Sequence, residues 1–390
     1  MKKKIFLNGA IVLFMAILLL PAVLGVFTRL TGKRIDEELK GYYTVYTRPD
    51  FSVSSFMNSD FQTDFSNWFN SKFEPRGFYI KNYNTICFNL FNDSIDIIGK
   101  DNYIYEYDYV SSELCLDDYN NYSIEATRDK LDSYVFKMQA VNDKLKEQDK
   151  HLFFYVSASK ADEYRDHLPL SVTALEPEGC VRGVDYLREK LEETDIEYLF
   201  AKDYTDDLPC DSFYATGIHW SRPYEQKINL MVLEKVEELT GKNYRTWELG
   251  ELKTSPTPYF RDTDVYDMLN LRNKSFTETF YQYDTTNVVP DDYDPMNLLI
   301  QGGSFAIGLR KDIWDHYPDE NLNYINYCEY FMDNTQVADP LYNDWNNVDL
   351  KALVEGSDCV VIEMNEGVIF HLSDGFVDRL YEILCEEDAE

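Results

Sequence analysis

Short apolar runs that alternate with helical patterns are the feature that most constrains the fold of this chain. The run "HLFFYVSA" (151–158) is almost continuously apolar, which is typical of a strand buried on both faces of a sheet. Similar runs, separated by helical patterns, are "IEYLF", "NLLIQ" and "DCVVIE". Helices that connect buried strands make those strands parallel and cover both faces of the sheet. The sequence therefore predicts an α/β three-layer sandwich with a mainly parallel sheet.

The N-terminus begins with an uncharged run, Ile5 to Phe27, which follows Lys2, Lys3 and Lys4. As a helix of about 1.5 Å per residue, this run can cross a hydrocarbon core of ~30 Å. The lysines favour an N-terminus on the cytoplasmic side, and the run exceeds the roughly 7–15 apolar residues of a signal peptide. We expect a single-pass transmembrane anchor at 1–27, with a signal peptide as the alternative. A linker at 28–59 and an extracytoplasmic domain at 60–390 would follow.

Charge and cysteine content exclude some classes of function. The chain has 70 acidic and 37 basic residues, a formal net charge of −33, whereas nucleic-acid binding needs a basic surface. The seven cysteines fit no zinc-ligand spacing, and we expect neither a metal nor a cofactor. An extracytoplasmic domain permits disulfides. Cys180 and Cys210 are the best candidate pair because both lie in loops that flank one helix–strand unit; free thiols are the alternative.

A candidate nucleophile follows the predicted strand "NLLIQ". Functional groups cluster at the carboxyl ends of strands in open parallel sheets, and here Gly302 and Gly303 precede Ser304. Two glycines let the backbone turn sharply and approach a ligand, and N–H groups at such a turn stabilise an oxyanion. Ser304 is therefore a candidate nucleophile. A tight turn with a capping serine is the structural alternative.

A nucleophilic serine needs a base within hydrogen-bond reach. The chain has five histidines, and only His219, in "YATGIHWSRP", lies at a loop-to-helix junction beside a bulky aromatic residue. Elimination among the histidines makes His219 the candidate base, with a packed or solvated histidine as the alternative.

The order of six separated segments, between about residues 60 and 386, carries a family resemblance. These segments are "NWFNSKFEPRGFYIKNYN", "IIGKDNYIYE", "LKEQDKHLFFYVSASKADEYRDHLP", "FYATGIHWSRPYEQKINLMVLEKVEEL", "LLIQGGSF" and "DCVVIEMNEG". Together they resemble the extracytoplasmic SGNH-hydrolase-like proteins of bacterial polysaccharide O-acetylation, which are the alginate O-acetyltransferase and DHHW families.

The resemblance implies an SGNH-hydrolase-like fold in which Ser304 accepts the acyl group and His219 is the general base. It implies O-acetyl transfer to, or removal from, a cell-surface polysaccharide, without a metal. It also implies a membrane-bound O-acyltransferase partner that delivers the acetyl group. Lys160, in the family's Ser-Lys…Tyr…Pro signature, is a candidate contact for an acidic substrate, with a solvated lysine as the alternative. Asn365 is a candidate oxyanion donor.

One position departs from the family pattern. The family's triad carboxylate lies two residues before the histidine, where this chain has Gly217. Disabling that carboxylate in a serine protease lowers kcat by about 10⁴. Three interpretations remain open. A backbone carbonyl orients His219, a carboxylate from elsewhere such as Asp162 or Glu366 replaces the missing one, or the domain is a catalytically degenerate module that binds glycan or docks onto an acyltransferase complex.

Overall fold

The computed structural model describes residues 2–33, 36–41, 46–72, 75–116, 124–206, 208–259, 261–272, 278–332 and 343–386. The chain forms two compact units. The smaller one comprises Met1–Ile95 with Tyr266–Phe276, and the larger one comprises Asp96–Val265 with Thr277–Glu390. The expected limits of the linker and of the extracytoplasmic domain stay a prediction.

The helices and strands follow each other in the alternating order that the sequence predicts. The helices are α1 (Lys2–Thr31), α2 (Val53–Met57), α3 (Asp60–Lys72), α4 (Arg76–Phe91), α5 (Tyr107–Glu113), α6 (Ile124–Glu147), α7 (Lys160–Glu163), α8 (Leu170–Thr173), α9 (Gly183–Leu191), α10 (Arg222–Thr240), α11 (Asp264–Met268), α12 (Ala306–His316), α13 (Leu350–Glu355) and α14 (Phe376–Tyr381). The strands are β1 (Ile97–Ile98), β2 (Ile104–Tyr105), β3 (His151–Ser157), β4 (Glu197–Phe200), β5 (Thr246–Ser255), β6 (Phe280–Val288), β7 (Asn297–Gly302), β8 (Asn321–Asn326), β9 (Tyr330–Met332), β10 (Asn343–Asp344) and β11 (Cys359–Asn365).

Helix α1 contains the apolar N-terminal run. Its segment Asn8–Thr31 has 24 residues, none of them buried, and by length and composition alone it is long and apolar enough to cross a membrane. At about 1.5 Å per residue it measures roughly 36 Å. A core helix or a signal sequence near the N-terminus passes the same test, so the finding is weak evidence for an anchor or a signal. The orientation of the helix stays a prediction.

The larger unit is built on a seven-stranded sheet with the order β10–β9–β8–β7–β11–β3–β4. Strands β8, β7, β11, β3 and β4 are parallel to their neighbours, whereas β9 and β10 extend one edge in antiparallel fashion. The four runs that the sequence singled out are β3, β4, β7 and β11. A mainly parallel sheet is therefore confirmed.

Both faces of this sheet are covered by helices. All seven residues of β11 are buried, and they alternate between two cores. Val360 and Ile362 pack in one core with Met138 of α6, and Val361 packs in the other with Ile228 of α10. Full burial of an aliphatic side chain is worth roughly 1.5–3 kcal/mol, so a strand buried on both faces stabilises the sheet strongly. The three-layer α/β architecture is confirmed.

Helix α10 places the segment that carries His219. The helix begins after Ser221 and ends at Gly241, which takes the left-handed conformation (φ 64°) that suits glycine at a C-cap. Ser221 has extended backbone, but its hydroxyl donates to the carbonyl of Asp211 (2.7 Å) instead of capping the helix. This bond fixes the chain two residues after His219.

The disulfide prediction is wrong in one of its two partners. Cys180 is joined to Cys115, while Cys210 is a free thiol whose pKa burial raises to about 11. Glu113, two residues before Cys115, forms ion pairs with Arg182, two residues after Cys180, at 2.9 Å. The end of α5 is therefore held beside the loop before α9. A contact over 65 residues leaves no local trace in the sequence.

Candidate active site

Ser304 lies in the turn between β7 and α12, as the sequence predicts. Neither Gly302 nor Gly303 has a positive φ, so the turn does not depend on the left-handed conformation. Both positions are instead too crowded for a side chain. A Cβ on Gly302 would lie 2.7 Å from the Cβ of Ala306, and one on Gly303 would lie 2.7 Å from the ring of Tyr327. The two glycines allow close packing around the serine.

Two buried ionisable side chains hold this turn. The carboxylate of Glu363, on β11, accepts the N–H of Gly303 (2.8 Å) and the hydroxyl of Ser157 (2.5 Å). Burial raises the pKa of Glu363 to about 7, and these two hydrogen bonds oppose the shift. The guanidinium of Arg261 donates to the carbonyl of Ser304. The nucleophile turn is thus fixed from both sides.

His219 links Ser304 to a carboxylate. Its Nε2 lies 2.7 Å from the Ser304 Oγ, and its Nδ1 lies 2.5 Å from the Oδ2 of Asp264. The imidazole also packs on Phe305, with ring centroids 4.6 Å apart. A serine, a histidine and a carboxylate in this order form the constellation in which the histidine removes the serine proton and the carboxylate fixes its tautomer.

Asp264 is kept in its charged form. Burial alone would raise the pKa of Asp264, but the charge and hydrogen bond of His219 hold that pKa below its usual value. The N–H groups of Ile218 (2.9 Å) and Val265 (2.8 Å) also donate to its Oδ1 and lower the pKa further. An ionised carboxylate at Nδ1 stabilises the imidazolium that forms when the serine loses its proton.

Gly217 explains why the carboxylate comes from another segment. A Cβ at this position would lie 2.7 Å from the carbonyl oxygen of Asp262 and 3.0 Å from that of Arg261. The segment that delivers Asp264 therefore passes where a side chain at 217 would point. Among the three interpretations, the structure matches replacement by a distant carboxylate.

The two carboxylates that the sequence suggested as replacements lie elsewhere, so both suggestions are wrong. Asp162 forms ion pairs with Arg182 (2.7 Å) and Lys202. Glu366 accepts the backbone N–H of Ser159 (2.5 Å). Asp264 was missed because "RDTDVYD" shows weak periodicity and its helix has only five residues. An aspartate at the start of a short helix is the only signal, and many aspartates share it.

Lys160 contacts the chain that leads to His219. Its ammonium is fully buried and donates to three backbone carbonyls, those of Ile104, Ala215 and Gly217, each at 2.7 Å. An ammonium has three protons, so none remains for a substrate. Burial lowers the pKa of Lys160 to about 7. The structure thus gives Lys160 a place in the framework of the histidine loop, different from the expected substrate contact.

Asn365 lines the cavity beside Ser304, but its amide is engaged within the protein. The Nδ2 donates to the Ser157 Oγ (3.0 Å) and to the carbonyl of Ala158 (2.9 Å), and the Oδ1 accepts the N–H of Gly367 (2.8 Å). Its role as an oxyanion donor stays a prediction.

A buried ion network supports the site from below. Glu225, at the first turn of α10, lies between Arg222 (2.6 Å) and Arg261. Burial would raise the pKa of Glu225, but the charges of Arg261 and Arg222 hold it below its usual value. Trp220 donates to the same carboxylate (3.3 Å) and packs against Phe305 (ring centroids 5.3 Å apart). Arg261 therefore connects α10 to the nucleophile turn.

No family model matches the sequence, and no curated protein is similar to it. Solved structures show a distant likeness. The chain is similar to the O-acetyltransferase domain of Pseudomonas putida AlgJ, with 12% identity, a TM-score of 0.45, and coverage of 74% of this chain and 99% of that one. For Pseudomonas aeruginosa AlgX the values are 11%, 0.42, 72% and 67%, and for Bacillus cereus PatB1 they are 10%, 0.38, 63% and 91%. Such values describe a distant likeness of fold and carry nothing about chemistry.

Proposed function

We propose that the protein transfers an O-acetyl group to, or removes one from, a cell-surface polysaccharide. Ser304 is the nucleophile, His219 is the general base and acid, and Asp264 orients and stabilises the imidazole. The observation that carries the proposal is the continuous chain of hydrogen bonds from Asp264 through His219 to the Ser304 hydroxyl, at 2.5 and 2.7 Å. Hydrogen-bond reach between nucleophile and base is the geometric requirement for covalent acyl transfer.

The reaction has two halves. The Ser304 Oγ attacks the carbonyl carbon of an acetyl donor while its proton passes to the His219 Nε2. The imidazolium then returns the proton to the leaving group, and an acetyl-serine remains. In the second half, His219 removes the proton of an acceptor hydroxyl, which attacks the acetyl-serine. The ester product leaves, and His219 returns the proton to the Ser304 Oγ. A sugar hydroxyl as acceptor gives transfer, and water gives hydrolysis.

The opposed function, a degenerate module that binds glycan or docks onto a membrane O-acyltransferase complex, predicts a separated serine and histidine or a filled cleft. The 2.7 Å contact and a cavity beside Ser304 favour the enzyme. Both require the same setting. We place the larger unit outside the cytoplasm, held by α1, with a membrane-bound O-acyltransferase as donor partner. Membership of the DHHW group stays a prediction.

The test uses the full chain in detergent with nitrophenyl acetate as donor. Release of nitrophenol and the intact mass are recorded for wild type, Ser304→Ala and His219→Ala. Ser171→Ala, at an exposed serine of α8, is the matched control. We expect turnover or an acetyl adduct in wild type and control, and loss of both in the two site variants. Equal turnover in Ser304→Ala would refute the proposal.

A further inference from the structure

The oxyanion donors near Ser304 are all occupied within the protein. In acyl transfer, N–H donors stabilise the negative charge that develops on the carbonyl oxygen. The N–H of Gly303 donates to Glu363 (2.8 Å), and the amide of Asn365 donates to Ser157 and Ala158. The N–H of Ser304 donates to the phenol oxygen of Tyr327 at 2.7 Å. A substrate carbonyl can bind only where one of these contacts is given up.

The contact with Tyr327 is the one that can be released most easily. Glu363 and Asn365 are only 3% and 4% exposed, whereas Tyr327 is 36% exposed. Burial raises the pKa of Tyr327, and hydrogen bonds from Ser304 oppose the shift, so the phenol is neutral at physiological pH. Breaking a hydrogen bond to a neutral acceptor costs less than breaking one to a buried carboxylate.

The backbone aims the Tyr327 ring at the nucleophile turn. Tyr327 and Cys328 have φ values of 50° and 51°, a left-handed pair between β8 and β9 without a glycine. Such conformations persist where the surroundings impose them, and they cluster at functional sites. The Tyr327 N–H donates to the Gly302 carbonyl (3.0 Å), and Gly303 lacks the Cβ that would collide with the ring. The strained turn and the glycine together seat the phenol on Ser304.

The cavity beside the ring contains an unsatisfied polar group. The cavity has a volume of about 30 Å³ and is bordered by Ser304, Tyr327 and Gln301. Gln301 is fully buried, yet neither its Oε1 nor its Nε2 has a hydrogen-bond partner among the described residues. Buried amides are normally paired. The amide thus indicates that a small polar group completes this cavity next to the nucleophile.

We propose that Tyr327 is the gate of the oxyanion site. Its hydroxyl occupies the acceptor position on the Ser304 N–H that the carbonyl oxygen of the acyl donor must take. Productive binding displaces the phenol, and the Ser304 N–H exchanges one oxygen acceptor for another without a covalent change at Tyr327. This gate rests on the proposed function, since it presumes that Ser304 is acylated.

The test measures the rate at which a fluorophosphonate modifies Ser304 in the full chain in detergent. The tetrahedral phosphonyl adduct places an oxygen in the oxyanion site. Tyr327→Phe removes the competing hydroxyl and keeps the ring. We expect its rate constant to rise by about 3- to 10-fold, the effect of removing one neutral hydrogen bond. Tyr293→Phe, at another partly exposed tyrosine, should react like wild type.

The outcomes separate the gate from the function. If wild type reacts and Tyr327→Phe reacts equally fast or more slowly, the gate is refuted, and a slower rate would make the phenol an oxyanion donor. If neither protein reacts at Ser304, the proposed function fails and the gate fails with it. Tyr327→Leu also lacks the hydroxyl, and it repeats the measurement if Tyr327→Phe does not fold.

Discussion

Replacement of Asp264 by asparagine tests how far the site depends on its distant carboxylate. The substitution removes the charge that lies 2.5 Å from the His219 Nδ1 but keeps the shape of the side chain. Asparagine can still accept the N–H groups of Ile218 and Val265, so the start of α11 should stay in place. We expect kcat for nitrophenyl acetate to fall by about 10³–10⁴ with little change in KM.

The magnitude follows from the geometry. Two unit charges 2.5 Å apart interact with roughly 7 kcal/mol at an effective dielectric constant of about 20. At 1.36 kcal/mol for each tenfold, this energy corresponds to a ceiling of about 10⁵ in rate. The side chains of His219 and Asp264 are 10% and 19% exposed, so water screens part of the interaction. The expected loss therefore lies one to two orders of magnitude below the ceiling.

The assay is steady-state hydrolysis by purified variants, each corrected for its folded fraction. Asp262→Asn is the matched control, since it makes the same change two residues away, on a side chain that accepts the Tyr259 N–H (2.7 Å). Its kcat should stay within a few-fold of wild type. A loss below tenfold in Asp264→Asn would refute the reasoning and indicate a serine–histidine dyad.

A companion variant tests the role of Gly217. Adding Gly217→Asp to Asp264→Asn restores the carboxylate at the family's position, but its Cβ would lie 2.7 Å from the carbonyl oxygen of Asp262. We expect no recovery of kcat and a lower free energy of unfolding. Recovery of activity would show that the loop can move aside, contrary to the packing.

Three further predictions concern stability, each measured as the free energy of unfolding in urea. Because the pKa of Glu363 rises from 4.5 to about 7 on folding, the folded state binds the extra proton, and wild-type stability falls by roughly 3 kcal/mol as the pH rises through this range. Glu363→Gln should lack that dependence, and parallel pH curves for the two proteins would contradict the shift. Lys160→Met leaves three buried carbonyls without their donor and should cost about 3 kcal/mol or more, so a neutral result would refute its place in the histidine loop. Opening the loop of 65 residues with Cys115→Ser and Cys180→Ser should cost about 4 kcal/mol, while Cys210→Ser should change little. The reverse order would restore the Cys180–Cys210 pairing.

The centre of the sheet could be predicted from the sequence, and its edges could not. Strands β3, β4, β7 and β11 are flanked on both sides in the sheet, so burial leaves continuous apolar runs. Strand β8 reads "NLNYIN", where asparagines face less crowded positions and dilute the pattern. The antiparallel pair β5 and β6 lies in a segment that the sequence indicated as loop-rich, because most of its residues are not buried.

The site divides in the same way. Ser304 and His219 each lie beside an element with a clear local pattern, a buried strand and a capped helix, so their positions follow from short-range signals. Asp264 meets His219 across 45 residues, through a helix of five residues. The disulfide joins residues 65 apart. Contacts of this kind depend on the packed fold, and no spacing rule marks them in advance.

The close approach of residues 261 and 262 to Gly217 makes two arrangements of the triad mutually exclusive. A carboxylate at 217 and a segment that delivers Asp264 compete for the same volume, so one chain can contain only one of them. A change from one arrangement to the other must then pass through a form with no carboxylate, or through simultaneous changes in two distant segments. A search for the contiguous family motif would class such a chain as inactive, although its histidine is paired in space.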